Sequence, residues 1–347
     1  MTDGTLTAES VPPPAGREAI ARLLGPALLL LVAGLFVLSL AVGPSAVSLP
    51  LALGDWWRGG ETSAAVIFAE IRLPRAILGV AVGAVLGLAG AAMQGLLRNP
   101  LAEPGVVGVS ASAALGAVVA FYSGWSLVFP LALPAGGIIG ALVAVALLFL
   151  LAGRQAGVLT LILAGVAVGS LAGALTSLAL SLAPNPFALT EIVFWMLGSL
   201  SDRSMDHVAV ALPFMAVGAG LLLATGRALD ALTLGEETAR SLGVDVGRTA
   251  GFILVGTALA VGAAVAVTGA IGFVGLVVPH LLRPLVGHRP GRLLPLSALG
   301  GAALVLAADV AVRLGGPGPE LKLGVVTALL GAPFFLALVL RSRRDPA

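Results

Sequence analysis

The segment SDRSMDH, residues 201–207, is the one place where acids and an imidazole cluster in this chain. Asp202 and Asp206 stand four apart, with His207 beside them, so all three could share a helix face and hold a cation. The segment also directly precedes a long apolar run, where polar residues are expected without any chemistry. Two further ionisable groups lie inside apolar runs. Asp309 sits near the end of one. His280 follows Pro279 in another, where it could titrate or serve as a hydrogen-bonded histidine at a proline kink. A P-loop needs Gly-Lys-Ser/Thr. The only lysine, Lys322, lies between Leu321 and Leu323, so this chain cannot hydrolyse ATP by that route. With no cysteine, disulfides and thiolate sites are excluded.

The elements that must position these groups are apolar helices. Of the 347 residues, 59% are hydrophobic and only 10% charged, against about 25% charged in a soluble domain. Charge-free runs of about 20 residues recur, enough to cross ~30 Å of hydrocarbon at 1.5 Å per residue. They lack the alternating polarity of barrel strands. The fold class is therefore an all-α integral membrane protein. Ten spans fit, near 23–43, 76–97, 106–123, 131–152, 158–182, 208–226, 250–268, 271–287, 294–312 and 323–340. The run 104–153 is divided at FYSGW (121–125), and 249–282 at TGAIG (268–272), where glycines weaken helix. With both termini cytoplasmic, 13 of the 19 basic residues fall inside and six outside: Arg58, Arg72, Arg75, Arg203, Arg313 and Lys322. That satisfies the positive-inside rule. Residues 1–20 read as a disordered cytoplasmic tail, 21–340 as the membrane domain and 341–347 as a second tail.

RNPLAEPG, 98–105, interrupts this pattern with Arg98, Asn99, Glu103 and the prolines Pro100 and Pro104. On the inner side it reads as a capped cytoplasmic turn. Arg98 anchors the second span, and Pro100 disfavours helix at Asn99. The longest cytoplasmic connection, 227–249, is too polar to span. Thr233 with Glu236 makes a capping-box pattern, Glu236 and Arg240 can pair at i, i+4, and Gly243 is a plausible stop. A short helix over 234–242 is predicted, with Leu234, Ala239 and Leu242 on one side, followed by a turn and a second short helix. Taken alone, such a helix suits a membrane surface or a partner's groove.

Three functions survive: an ion-coupled carrier, a membrane enzyme, and a channel-forming subunit driven by a partner. A carrier usually keeps ionisable groups within its bundle despite their cost, and these spans hold almost none. A membrane enzyme would rest on 201–207 alone.

Six motifs in order decide among them: RLPR (72–75), GAAMQGLLRNPLAEPGVVGVSA (90–111), WMLGSL (195–200), LGEETARSLGV (234–244), GAIGFVGLVVPHLLR (269–283) and ELKLGVVTALLGAPFF (320–335). Through them the chain resembles the FecCD-type permeases of ABC importers, which carry cobalamin, ferric siderophores or haem. The resemblance runs from about residue 70 to 340. Lys322 departs from it, standing where an apolar residue or proline is usual, and Ser112 stands where glycine is common.

The resemblance implies a ten-span type II importer permease in a bacterial inner membrane. It implies a homodimer with the pathway between the copies. Two copies of an ABC ATPase would bind ATP and Mg on the cytoplasmic side, and an extracytoplasmic substrate-binding protein would dock outside. It implies no cofactor, metal or nucleic acid in this chain; besides its protein partners, the chain contacts membrane lipid. Coupling to the ATPase falls on Leu234, Gly235, Glu236, Ala239, Leu242 and Gly243, within loop 227–249. Docking of the binding protein falls on Arg72, Arg75 and Arg313, whose planar guanidinium groups suit carboxylates. Asn99, Pro100, Glu103 and Pro104 form the cytoplasmic-turn motif. Gly272, Gly275, Pro279, His280 and Arg283 form the span-eight motif. The implied cargo is a ferric chelate, haem or cobalamin, and the alternative left standing is an ion-coupled secondary transporter.

Overall fold

The structure, a computed structural model, describes residues 15–43, 45, 47–129, 131–153, 158–183, 186–315 and 320–342. All regular secondary structure among the described residues is helical. Helix α1 (Ala15–Ala41) is followed by the short α2 (Leu49–Trp57). Helix α3 (Ser63–Val66) passes through a π-helical stretch, Ile67–Arg72, into α4 (Leu73–Leu96). Residues Ser63–Leu96 thus form one rod of 34 residues. Next come α5 (Val109–Tyr122), α6 (Trp125–Val128), α7 (Ala132–Ala152), α8 (Val158–Ser181) and α9 (Pro186–Met196). Then α10 (Met205–Ala224), α11 (Gly226–Leu232), α12 (Glu236–Ser241) and α13 (Val246–Thr268) lead to α14 (Val274–Leu282), α15 (Pro290–Arg313) and α16 (Leu323–Ser342).

Seven of these helices are long and apolar enough to span a bilayer, and three shorter apolar stretches bring the set to the ten expected from the sequence. Both disputed divisions are present. Helix α5 ends at Tyr122, with Gly124 in the left-handed region at φ 76°. Helix α13 ends at Thr268, and Gly269 follows at φ 73°, where an added Cβ would lie 2.0 Å from the Trp195 carbonyl oxygen. Only glycine fits that approach. The expected N-terminal tail is shorter than 1–20, since α1 takes in 15–20 and residues 1–14 lie outside the described set. Most of the C-terminal tail, 343–347, also lies outside it.

Two of the short helices carry structural meaning. The 14 residues of α5 rise about 21 Å at 1.5 Å each, less than the hydrocarbon thickness. The nine residues of α14 rise less still. Irregular backbone at membrane depth must be buried in protein. In the connection before α5, Ala102, Pro104, Val107 and Gly108 are buried, and in the one before α14, Gly269 and Ile271.

Small residues let the core helices close up. Along α4, an added Cβ at Gly83 would lie 2.3 Å from the Gly301 carbonyl oxygen, and at Gly87 2.0 Å from that of Ser297. This makes α4 and α15 a backbone-to-backbone pair. Gly116 of α5 meets Gly136 of α7 in the same way. In contrast, α8, α9 and α16 leave large apolar side chains uncovered, among them Leu171, Phe187 and Leu329.

Candidate functional site

At the outer end of the α4–α15 pair lies a charged cluster. Arg72 ends the π-helical stretch, Arg75 is in the first turn of α4, and Asp309 and Arg313 occupy the last turns of α15. Glu320 lies in the connection before α16. The Arg75 Nε donates to both Asp309 oxygens, at 2.9 and 3.2 Å. Its Nη1 and Nη2 reach the two Glu320 oxygens at 3.3 and 2.9 Å. One guanidinium fork therefore holds two carboxylates. Asp309 is also paired with Arg313 at 2.8 Å, and the Ser201 Oγ donates to Glu320 Oε2 at 2.7 Å. Asp309 is thus the counter-ion of two arginines, not an isolated relay.

The remaining donors of the cluster cap α1. Arg72 donates to the carbonyls of Leu40, Ala41 and Ser45 at 2.9, 3.0 and 2.6 Å. Arg313 donates to those of Ser39 and Val42 at 2.8 and 2.7 Å, and to the Ser39 hydroxyl at 2.7 Å. The last carbonyls of a helix lack partners within it and favour cations, so two arginines from other helices complete its end. Each of the three arginines is thus held by carboxylates or carbonyls of its own chain. The side chains of Arg75 and Arg313 are only 9% and 2% exposed, whereas that of Glu320 is 31% exposed. Arg75 and Arg313 share two carboxylates, while Arg72 meets only backbone carbonyls, which leaves one positive charge in surplus. Burial alone would raise the Glu320 carboxyl. Hydrogen bonds from Arg75 and Ser201 outweigh it and hold the group below its ordinary value.

Ser201 also lines a cavity of about 290 Å³ with Phe194, Trp195, Asp202, Arg203 and Lys322. The Lys322 Nζ sits 5.5 Å from the centre of the Phe194 ring, a cation–π distance. The 201–207 set does not converge as a cation site. The Ser204 N–H donates to His207 Nδ1 at 3.3 Å, so the imidazole caps α10. Among the described residues, no group of three acids or histidines could hold a metal ion.

At the inner end, the cytoplasmic turn is more than a turn. Helix α4 closes with Arg98 in the left-handed region at φ 47° and the Asn99 N–H bonded to the Gln94 carbonyl at 3.2 Å. The Asn99 Oδ1 accepts from the Leu101 N–H at 2.9 Å, and Pro100 lies exposed beside it. Glu103 then turns inward toward the Phe273 backbone at the start of α14. Pro104 packs within reach of Gly275, and Gly275 packs on Gly90 of α4. The Gln94 side chain donates to the Gly275 carbonyl at 3.1 Å and accepts from the Arg283 guanidinium. The two sequence motifs are therefore halves of one junction, with Gln94 as its hub. The signal for Gln94 is its place as a lone amide in the charge-free run 76–97. Gly272 has open space around it. His280 is not the hydrogen-bonded histidine expected beside Pro279. Its Nδ1 has no partner among the described residues, and its ring stands edge-on to Phe334 with centres 5.6 Å apart.

The cytoplasmic connection departs from expectation in three ways. Helix α12 covers Glu236–Ser241, with Gly235, not Thr233, as its N-cap at φ 110°. Thr233 instead donates to the Asp230 carbonyl at 2.7 Å, satisfying the end of α11. The second short helix, α11, precedes α12 and does not follow it. The Asp230 side chain accepts from the Gly291 N–H at 2.7 Å and so holds α11 to the start of α15. The third departure is in facing. Ala239 is fully buried, while Leu234 and Leu242 are 64% and 62% exposed. Ala239 fastens the helix to the body, and the leucines point away. Gly243 ends the helix at φ 83°, as predicted, and Glu236 pairs with Arg240 at 3.7 Å.

Residues 29–341 match the model of the FecCD transport family. The chain is 42% identical to the cobalamin import system permease protein BtuC of Halobacterium salinarum, over 81% of this chain and 75% of that protein. It is 40% identical to the Fe(3+) dicitrate transport system permease protein FecD of Escherichia coli, over 90% of this chain and 97% of that one. A solved structure of a metal-chelate type ABC transporter, in an inward-facing conformation, superposes with a TM-score of 0.80 at 32% identity, covering 92% of this chain and 99% of that chain.

Proposed function

This chain belongs to the FecCD transport family, and from that premise we propose how its parts divide the work. It is a multi-pass inner-membrane permease subunit of an ABC importer. Its cargo is a metal chelate, either a ferric chelate such as a siderophore or haem, or cobalamin, in line with relatives named for ferric dicitrate, hemin and cobalamin. The chain hydrolyses no ATP. A separate ATPase, holding ATP and Mg, pushes on α12 from the cytoplasm. Two copies of the chain face each other across the pathway, as the family resemblance implies. A substrate-binding protein docks on the outer face, where the surplus charge of the Arg72–Arg75–Arg313 cluster favours acidic side chains.

The observation that carries this division is α12. Two leucines stand exposed on a six-residue helix bracketed by Gly235 and Gly243, and a buried alanine fastens it to the body. An exposed apolar pair on a rigid, anchored helix suits insertion into a partner's groove. The test is uptake of ferric citrate and of cobalamin into liposomes holding permease, ATPase and binding protein. Uptake of one of them should require ATP and survive a proton uncoupler. Uptake driven by a proton gradient without the ATPase would return the chain to the ion-coupled carriers.

A further inference from the structure

The outer cluster holds two carboxylates on one guanidinium fork, and they are not equivalent. Asp309 is 2% exposed, sits within α15, and is held by Arg75 and Arg313 together. Glu320 is 31% exposed, belongs to a connection, and is held by Arg75 and the Ser201 hydroxyl. Arg75 itself is 9% exposed, so a group arriving from outside meets Glu320 before it meets Arg75.

We propose that Glu320 is an internal stand-in for the acidic side chain of the docking partner, and that docking exchanges one carboxylate for the other on Arg75. This rests on the reading that the partner docks through this arginine cluster. The chemistry of the exchange is balanced, because a carboxylate leaves the Nη1 and Nη2 donors as another takes them. Asp309 remains in place, so Arg75 is never stranded. The surplus positive charge makes the cluster attractive to an acid even while Glu320 occupies it.

The exchange also has a structural consequence. Glu320 ties α4 to two connections at once: its own, leading to α16, and through Ser201 the one leading to α10. The start of α16 also touches the connection leading to α10, where the Gly324 N–H donates to the Gly198 carbonyl at 3.2 Å. Displacing Glu320 unfastens this outer corner from the α4–α15 pair. Docking thereby loosens the entrances of α10 and α16 while the backbone-to-backbone seam of α4 and α15 stays closed.

The test uses the assembled permease–ATPase complex in nanodiscs and the purified substrate-binding protein of the same system as probe, with affinity read at two salt concentrations. Glu320→Gln removes the competing charge and should tighten binding roughly two- to fivefold, the size of a partly exposed ion pair. Ser201→Ala loosens Glu320 without removing its charge and should tighten binding by less. It carries the test should Glu320→Gln fail to assemble. Arg75→Gln should weaken binding in either background. If Arg75→Gln weakens binding while neither Glu320→Gln nor Ser201→Ala tightens it, the exchange is wrong and docking at the cluster stands. If Arg75→Gln leaves binding unchanged, docking at the cluster is itself wrong and the exchange falls with it.

Discussion

Replacing Leu242 by alanine separates the coupling role of α12 from its role in the fold. Burying a whole leucine side chain is worth about 1.5–3 kcal/mol. Leu242 is 62% exposed in the free chain, so most of that free energy is not used in folding. If a partner's groove covers the exposed part, it yields roughly 1–2 kcal/mol, and its loss weakens association on the order of five- to thirtyfold. Ala239 supplies the opposite case. It is fully buried, so Ala239→Leu overpacks the contact between α12 and the body, at about 1–3 kcal/mol. The two variants should therefore behave as mirror images. Leu242→Ala keeps the wild-type melting temperature, binds the ATPase less tightly, and lowers ATP hydrolysis in the presence of the loaded binding protein. Ala239→Leu lowers the melting temperature. The assays are ATPase affinity by surface-captured nanodiscs, stimulated hydrolysis, and thermal unfolding in detergent. Unchanged ATPase affinity for Leu242→Ala and for Leu234→Ala, with unchanged unfolding, would refute the argument that these leucines are reserved for a partner.

Three other outcomes follow from the charged and close-packed sites. Asp309→Asn strands Arg75 and Arg313, and breaking a buried pair costs about 3–5 kcal/mol; thermal unfolding should show a larger loss than for Glu320→Gln. Because the folded chain holds the Glu320 carboxyl below its ordinary value, its contribution is fully present above the ordinary carboxylate range and is lost as pH falls through the lowered value; unfolding temperatures from pH 6 down to pH 3 should drop more steeply for wild type than for Glu320→Gln. Gly90→Val directs a side chain at the Gly275 carbonyl oxygen, 2.0 Å from the added Cβ, and should separate α4 from α14; faster hydrogen exchange in 98–108 and 269–276 would report it, and unchanged exchange would contradict the junction.

The helical architecture was legible because its signals are local. A charge-free run, a glycine-bearing break such as TGAIG, and a basic residue at one end each report within a few residues of themselves. The facing of α12 was less legible. Leu234, Ala239 and Leu242 are all apolar, and a six-residue helix has too few turns to define a buried face. Packing against the body decided that Ala239 turns in. The small side chain fits the close approach, and the leucines do not. The expected capping box at Thr233 failed for a related reason. The hydroxyl had two orphaned groups within reach, and the Asp230 carbonyl at the end of α11 took it.

The outer arginines show where one-dimensional reading stops. A basic residue on the wrong side of the membrane can be answered by an acidic partner outside, or by carboxylates from distant parts of the same chain. Spacing along the chain favours the first answer. Arg72 and Arg75 have only Glu70 close by, and the acids that meet Arg75 are 234 and 245 residues away. Only the closing of α4 on α15 brings Asp309 alongside, and that closing depends on Gly83, Gly87 and Gly301, which carry no charge signal at all. The same glycines that hide the pairing make it rigid. Asp309 is therefore a fixed counter-ion, and Glu320, on a connection outside the seam, is the acid left free to give way.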